Sequence, residues 1–259
     1  MLPIINVLGR DISLYSLCFF IGLVIGSLFA VYYFAKFNDI NKEDVFYAIL
    51  FGTIGIAVGA KLLYILTIIP GIIQNIQSIG FIKTIQAISQ SGFVFYGGLI
   101  GGILGIVIYS KLFKVSAKKL LLTIVPVIPL VHSFGRIGCL MAGCCYGKEY
   151  QGFGSITFHN TLYAPTNIPL FPTQLVESIC NLIIFIILFS TYKKFKGTYK
   201  TAGLYCILYS IVRFTLEFFR GDRARGFLFN LSTSQWFSIL LIITGIALFI
   251  YENSKKETT

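Results

Sequence analysis

Apolar residues run through this chain in long uninterrupted stretches bounded by lysine-rich clusters, rather than alternating with polar ones. Seven such runs fall near residues 13–35, 45–69, 94–113, 120–141, 174–192, 202–219 and 234–251. A helix of about 20 apolar residues, rising about 1.5 Å per residue, matches a hydrocarbon core of roughly 30 Å. Runs of this length without alternation argue against barrel strands, and an open sheet leaves its backbone unsatisfied in lipid. The pattern therefore predicts an all-α polytopic bundle of about seven transmembrane helices in a single membrane domain, residues 1–259. Two intervening segments are too long to be turns. Residues 70–93 read as an amphipathic segment on the membrane surface. Residues 143–173 mix glycine, proline and aromatic residues and predict a small folded cap.

Composition sharpens this picture. The chain is 56% hydrophobic and 12% charged, with a mean hydropathy of +0.82, outside the range of soluble domains. The net charge of +11 does not indicate nucleic acid, because the lysines sit at the ends of apolar runs and not in a basic module. Lys36 and Lys42, then Lys111, Lys114, Lys118 and Lys119, then Lys193, Lys194, Lys196 and Lys200, then Lys255 and Lys256 all fall on one side of a seven-span bundle. The positive-inside rule makes that side cytoplasmic, with the N-terminus outside and the C-terminus inside. MLPIINVLGRD lacks a basic n-region, so the first run is expected to stay as a span and not be cleaved. The opposite side holds Arg10, Lys83, Lys148, Arg220, Arg223 and Arg225, an arginine-weighted set that points to something anionic.

Ionisable residues inside spans cost on the order of 2.5–3.5 kcal/mol each at mid-membrane, so they are paired, interfacial or functional. Lys61, Arg136, Arg213 and Glu217 qualify. Lys61 has a stem long enough to snorkel. Arg213 and Glu217 are one helical turn apart and share a face, as a structural ion pair or as part of a site. Arg220 follows at i+3 and extends a positive strip outward. Arg136 stands between two glycines in HSFGRIG, and its planar fork of donors suits a phosphate as lysine does not. Arg136 and Arg213 together would form a phosphate clamp at headgroup depth. Gly97, Gly101 and Gly105 recur every four residues and allow close helix approach.

Six cysteines do not form a secreted disulfide framework, since Cys18, Cys180 and Cys206 lie within apolar runs and read as small buried residues. Cys139, Cys144 and Cys145 lack ordinary zinc spacing, and no metal or other cofactor is expected on that ground. They are either packed beside a glycine-rich turn or reactive near Arg136, since a neighbouring cation favours thiolate. The two histidines, His132 and His159, are either packed residues or candidate bases.

These pieces fall in an order that resembles one family. SLYSLCFFIG, VGAKLLYIL, VFYGGLIGG, GRIGCLMAGCCYG, FPTQLVES, YSIVRFTLEFFRGDRARG and LSTSQWFSI are similar, nearly end to end, to segments of the prolipoprotein diacylglyceryl transferases. The resemblance implies a seven-helix bundle in the bacterial cell membrane. It also implies transfer of a diacylglyceryl group from phosphatidylglycerol to the lipobox cysteine thiol of a prolipoprotein, with release of glycerol phosphate. The partners are then phosphatidylglycerol, prolipoprotein signal peptides and the lipid bilayer, with no nucleic acid. Tyr15, Arg213 and Glu217 match catalytic positions. Arg136, Gly138 and Gly147 match lipid-binding ones, and Gly97 and Gly98 the third-span glycine motif.

Three positions depart from the family pattern. Tyr96 stands where the family usually has histidine, Cys139 where it has asparagine, and Cys144 where it has glutamate. Tyrosine is a poor base at neutral pH, with a reference pKa of about 10, so His132 or the substrate phosphate is left to take the thiol proton. The substituted positions keep open a paralogue with another acceptor or a thiol-dependent mechanism. A transporter is disfavoured by the lack of an inverted repeat.

Overall fold

The computed structural model describes residues 4–7, 9–90, 92–161, 163–222 and 226–257. A hairpin, β1 (Ile4–Val7) and β2 (Arg10–Ser13), leads into α1 (Leu14–Leu28), which continues through a π-helical segment, Phe29–Phe34, and a 3₁₀ turn. Then follow α2 (Lys42–Ile79), α3 (Phe81–Gln90), α4 (Phe95–Leu112), α5 (Ala117–Ile124) and α6 (Ile128–Ala142). The short pair β3 (Ile156–Thr157) and β4 (Pro169–Leu170) precedes α7 (Thr173–Thr191) and α8 (Lys200–Glu217). A last hairpin, β5 (Phe227–Leu228) and β6 (Leu231–Ser232), leads into α9 (Thr233–Glu257).

Among the described residues the architecture is all-α apart from three small antiparallel pairs, none of which the hydropathy pattern predicted. Six helical stretches among the described residues are long and apolar enough to cross a membrane, which makes this a multi-pass membrane protein. The seventh predicted run is the helix α8, which has the length but carries Lys200, Arg213 and Glu217. Two other expectations need correction. The second run does not stop at residue 69, because α2 passes through Pro70 to Ile79, and only Gly80, with φ +82°, ends it. The amphipathic surface segment is thus reduced to the ten-residue α3. The fourth run is a broken helix: Pro126 lies in a 3₁₀ turn between α5 and α6, and a second proline, Pro129, occupies the first turn of α6, where its missing N–H leaves no intrahelical bond unmade.

The chain forms two compact units, one of residues 1–39 and 122–259, the other of residues 40–121. In the smaller unit α2 and α4 pack through glycine. A Cβ at Gly97 would overlap the carbonyl of Gly59, and one at Gly101 the carbonyl of Gly55. Lys61 is held inside this unit, donating to the Ile88 carbonyl at 2.5 Å with its ammonium 4.8 Å from the Phe93 ring.

In the larger unit polar groups are buried between helices. The first half of α7 buries Thr173, Gln174, Glu177, Ser178 and Asn181 and its second half Ile184, Phe185 and Leu188, while Ile179, Leu182, Ile183 and Ile186 are exposed. Polar groups turned inward and aliphatic ones left exposed is the arrangement a hydrocarbon solvent favours. Cys18, Cys180 and Cys206 are half-buried, not buried as the apolar runs suggested. At one end, Asn38 donates to Thr123 Oγ1 at 2.8 Å and to the Tyr192 hydroxyl, and Tyr192 donates to the Leu122 carbonyl at 3.1 Å.

Residues 143–173 form the folded cap, with Phe158, Ala164 and Leu170 packed on Leu140 of α6. Its first strand-like stretch is bonded on both sides. Lys148 N donates to Phe219 O (2.8 Å), Gly221 N to Tyr146 O (3.0 Å), and Phe171 N to Lys148 O (2.9 Å). This ladder joins the end of α6 to the start of α7 and the end of α8, and so sets where the polar residues of those helices meet.

Candidate functional site

His132 and Arg136 are four residues apart on α6 and share one face, which α7 covers with Glu177. Arg136 Nη2 lies 2.9 Å from Glu177 Oε1, and His132 Nε2 lies 3.8 Å from the same oxygen. Arg136 Nε donates to His132 Nε2 at 3.3 Å, so that ring nitrogen is an acceptor here. The pair is well shielded, with side-chain exposures of 13% for Arg136 and 3% for Glu177. Beside it the hydroxyls of Ser133 and Ser178 are 2.9 Å apart, fixing the register of α6 on α7.

A second buried guanidinium comes from α8. Arg213 Nη2 is 2.9 Å from Glu217 Oε2 and donates to Ser234 Oγ of α9 at 2.8 Å. Its other arm, Nη1, is buried without a hydrogen-bond partner among the described residues. Leaving such a donor unmade costs about 1–3 kcal/mol or more for a charged group, so its retention points to a ligand. Glu177 lies within electrostatic reach of Arg136, His132, Arg213 and Arg220. Glu177 with Arg136, Glu217 with Arg213 and Asp222 with Arg220 balance three carboxylates against three guanidiniums, so what is left to meet an anion is the unmade Arg213 Nη1 donor and not a net charge.

The turn after α6 brings three sulfurs together. Gly143 caps the helix in the left-handed region, φ +74°, and Cys145 also has a positive φ, +59°, which is uncommon for a residue with a Cβ. Thr173 Oγ1 donates to Cys145 O and Gln174 Nε2 to Cys144 O, both at 2.8 Å, which holds this turn. The sulfurs of Cys139, Cys144 and Cys145 all lie within 4.8 Å of one another. Hydrogen bonds from Cys139 and Cys144 pull the Cys145 thiol below its ordinary pKa, against burial and with help from the Arg136 and Arg220 charges. The Cys144 thiol is pushed up by its hydrogen bonds with Cys139 and Cys145 and by burial.

The remaining sequence candidates divide between the two units. Tyr15 opens α1 with its side chain partly exposed, within electrostatic reach of Arg136, Cys139 and Cys144. Gly138 is the position on α6 that meets it: a Cβ there would stand 3.0 Å from both Tyr15 Cα and its carbonyl oxygen. Gly147 pairs with Arg220, and a Cβ on it would overlap the Phe171 carbonyl. Tyr96, Gly97 and Gly98 belong to α4 of the other unit, where the two glycines are buried against α2. His159 lies in the cap, hydrogen-bonded through Nδ1 to Asn167 at 2.8 Å.

The positive strip beyond Glu217 is weaker than the sequence suggests. Arg220 is bonded twice to Asp222, at 3.0 and 2.6 Å. Burial disfavours the Arg220 charge, but the Asp222 hydrogen bonds outweigh it and hold the pKa above its ordinary value. Arg223 and Arg225 lie outside the described residues. Sequence reasoning missed Glu177, the one acidic residue of α7, which deserved a place among the intramembrane ionisable groups. It also missed Ser234, which touches Arg213 only through the packing of α8 on α9.

A family model described as prolipoprotein diacylglyceryl transferase matches residues 3–251. The chain is 40% identical over 261 residues to phosphatidylglycerol–prolipoprotein diacylglyceryl transferase 2 of Clostridium perfringens, covering 97% of this chain and 98% of that one. It is 37% identical over 223 residues to the phosphatidylglycerol–prolipoprotein diacylglyceryl transferase of Clostridium tetani, covering 86% of each. The enzyme of that name from Rickettsia conorii is 31% identical over 261 residues, covering 98% of this chain and 97% of its own.

Proposed function

The chain belongs to the prolipoprotein diacylglyceryl transferase family, and from that premise we propose that it moves the diacylglyceryl group of phosphatidylglycerol onto the lipobox cysteine thiol of prolipoproteins. The observation that carries the reading is the pair of buried guanidiniums, Arg136 held by Glu177 and Arg213 held by Glu217, with Arg213 Nη1 left to donate. A lipid phosphate is the anion that reaches such depth, its acyl chains remaining in the hydrocarbon while its head meets the arginines.

The reaction is a displacement at carbon. The acceptor sulfur forms a bond to the terminal glyceryl carbon as the carbon–oxygen bond to phosphate breaks, and the electron pair leaves on the phosphate oxygen. Negative charge grows on that oxygen in the transition state, and fixed donors aimed at it stabilise the transition state more than the ground state. Arg136 and Arg213 fill this role. Glu177 and Glu217 orient them and keep the site near neutrality before lipid enters. His132 already accepts from Arg136 Nε, so it positions that arginine, and the departing phosphate receives the thiol proton. Tyr15, which meets Gly138 of α6, lies within electrostatic reach of Arg136, and the ladder through Lys148 ties the end of α6 to α7 and α8.

The lysine-rich ends of the spans support an orientation with the N-terminus outside and the C-terminus in the cytoplasm. The turn at residues 143–147 then opens on the side where a secreted precursor emerges. Transfer of label from glyceryl-labelled phosphatidylglycerol to a lipobox peptide tests the reading. The parent protein is expected to transfer the label and the Arg213→Gln variant to lose activity by about 10²–10³-fold, the cost of one oxyanion donor. Undiminished transfer by that variant would remove Arg213 from the mechanism.

A further inference from the structure

We propose that Cys139, Cys144 and Cys145 form a three-thiolate site for a soft d¹⁰ cation, zinc-like in class, whose fourth position takes the acceptor thiol. The second half of this proposal rests on the transfer reaction above; the first half does not.

The geometry argues for a site built to hold a cation. A Zn–S bond of about 2.3 Å requires sulfurs about 4 Å apart, so three atoms already within 4.8 Å of one another need close by less than about 1 Å. They come from two elements: Cys139 is on the last turns of α6, while Cys144 and Cys145 follow its glycine cap. Their convergence is imposed by the left-handed Cys145, an unfavourable backbone state that Thr173 and Gln174 of α7 pin through its carbonyl and that of Cys144. Cys139 is buried, whereas Cys144 and Cys145 are half-buried, so the cluster is shielded but not sealed from a further ligand. Three protein ligands with an open fourth position is the pattern of catalytic zinc, not of structural zinc.

Three thiolates and a divalent cation sum to a single negative charge; Arg136 and Arg220 lie within electrostatic reach of Cys145, each already paired with a carboxylate, Glu177 and Asp222. Soft thiolate ligands exclude Mg²⁺ and Ca²⁺ and select zinc-like ions or Cu(I). A thiol that coordinates such an ion is deprotonated outright, and this chain lacks a well-placed base, since His132 Nε2 is engaged by Arg136. The acceptor would bind as thiolate with release of its proton. Its sulfur lone pair then forms the bond to the glyceryl carbon as the carbon–oxygen bond breaks, and the glycerol phosphate leaves with that electron pair and takes up the proton. No oxidant or reductant is required.

The test uses the full chain, purified and reduced in detergent, titrated with Cd²⁺ as a spectroscopic stand-in for Zn²⁺. One equivalent should saturate a thiolate-to-metal charge-transfer band with the intensity of three Cd–S bonds. Cys139→Ser, Cys144→Ser and Cys145→Ser should each lose it, and the Cys18→Ser/Cys180→Ser/Cys206→Ser variant should keep it. A cysteine-containing lipobox peptide should raise the band by one further Cd–S bond, and its serine analogue should not. Absence of the band, or its survival in Cys144→Ser, would overturn the site. A band indifferent to the cysteine peptide would overturn the fourth-ligand role. If Cd²⁺ binds as described but the protein never transfers diacylglyceryl, the transfer reading fails while the cation site stands. Zn²⁺ competition that leaves the band unchanged would overturn the zinc-like assignment.

Discussion

Replacing Glu177 with glutamine tests the buried pair on which the site is built. The carboxylate lies 2.9 Å from Arg136 Nη2 with side-chain exposures of 3% and 13%. At an effective dielectric of about 20, opposite charges at that distance attract by about 6 kcal/mol before desolvation is counted. Glutamine keeps the shape but removes the charge, leaving Arg136 buried with only His132 and its other neighbours. Breaking a buried pair from one side costs about 3–5 kcal/mol, whereas removing both partners together is close to neutral. Unfolding in mixed micelles with rising SDS should therefore show Glu177→Gln destabilised by about 3–5 kcal/mol. The double variant Arg136→Met/Glu177→Gln should cost clearly less than the sum of Arg136→Met and Glu177→Gln, a strong positive coupling in the cycle. If the single variant unfolds with the parent, or the double variant costs the sum of two singles, Glu177 does not hold Arg136 as described.

Other consequences follow from the same contacts. Tyr192→Phe removes the hydroxyl that Asn38 donates to and that itself donates to Leu122 O, so the protein should lose about 1–3 kcal/mol in the same unfolding assay. Gly101→Ala places a Cβ onto the Gly55 carbonyl, which backbone cannot yield cheaply, and should cost about 1–3 kcal/mol or abolish folded expression in a detergent-stability screen. Gly147→Ala should open the ladder between the cap and the end of α8 and speed amide hydrogen exchange at Lys148 and Gly221, which bond to Phe219 and Tyr146.

The bundle was legible because a lipid solvent leaves few options: runs long enough to span had to be helices, and lysine clusters marked their ends. What the runs did not carry was where helices bend. Pro70 reads as a stop, yet α2 continues through it to Ile79, so the proline removes one intrahelical hydrogen bond without ending the helix. Pro126 reads as an interior residue, yet it separates α5 from α6.

Within the site, Arg136, Arg213 and Glu217 stood out as charges in apolar runs. Glu177 was equally visible, and its pairing with Arg136 depends on the α6–α7 register set by Ser133 and Ser178. The convergence of three cysteines was not readable from their spacing, because it depends on a left-handed residue and on two side chains from α7. Arg220 looked like an extension of the positive strip until Asp222 was seen to neutralise it.

The central claim is that the paired arginines hold the phosphate of phosphatidylglycerol while the glyceryl carbon is transferred. Its most direct test is to follow glyceryl-labelled phosphatidylglycerol and a lipobox peptide with purified protein, counting labelled peptide and released glycerol phosphate together, for the parent and for Arg136→Ala. Equal amounts of both products from the parent, and a loss of at least about 10²-fold from Arg136→Ala with the protein still folded, are the predicted result. Folded parent protein that yields neither product, or an Arg136→Ala variant that yields both at the parent rate, would contradict it.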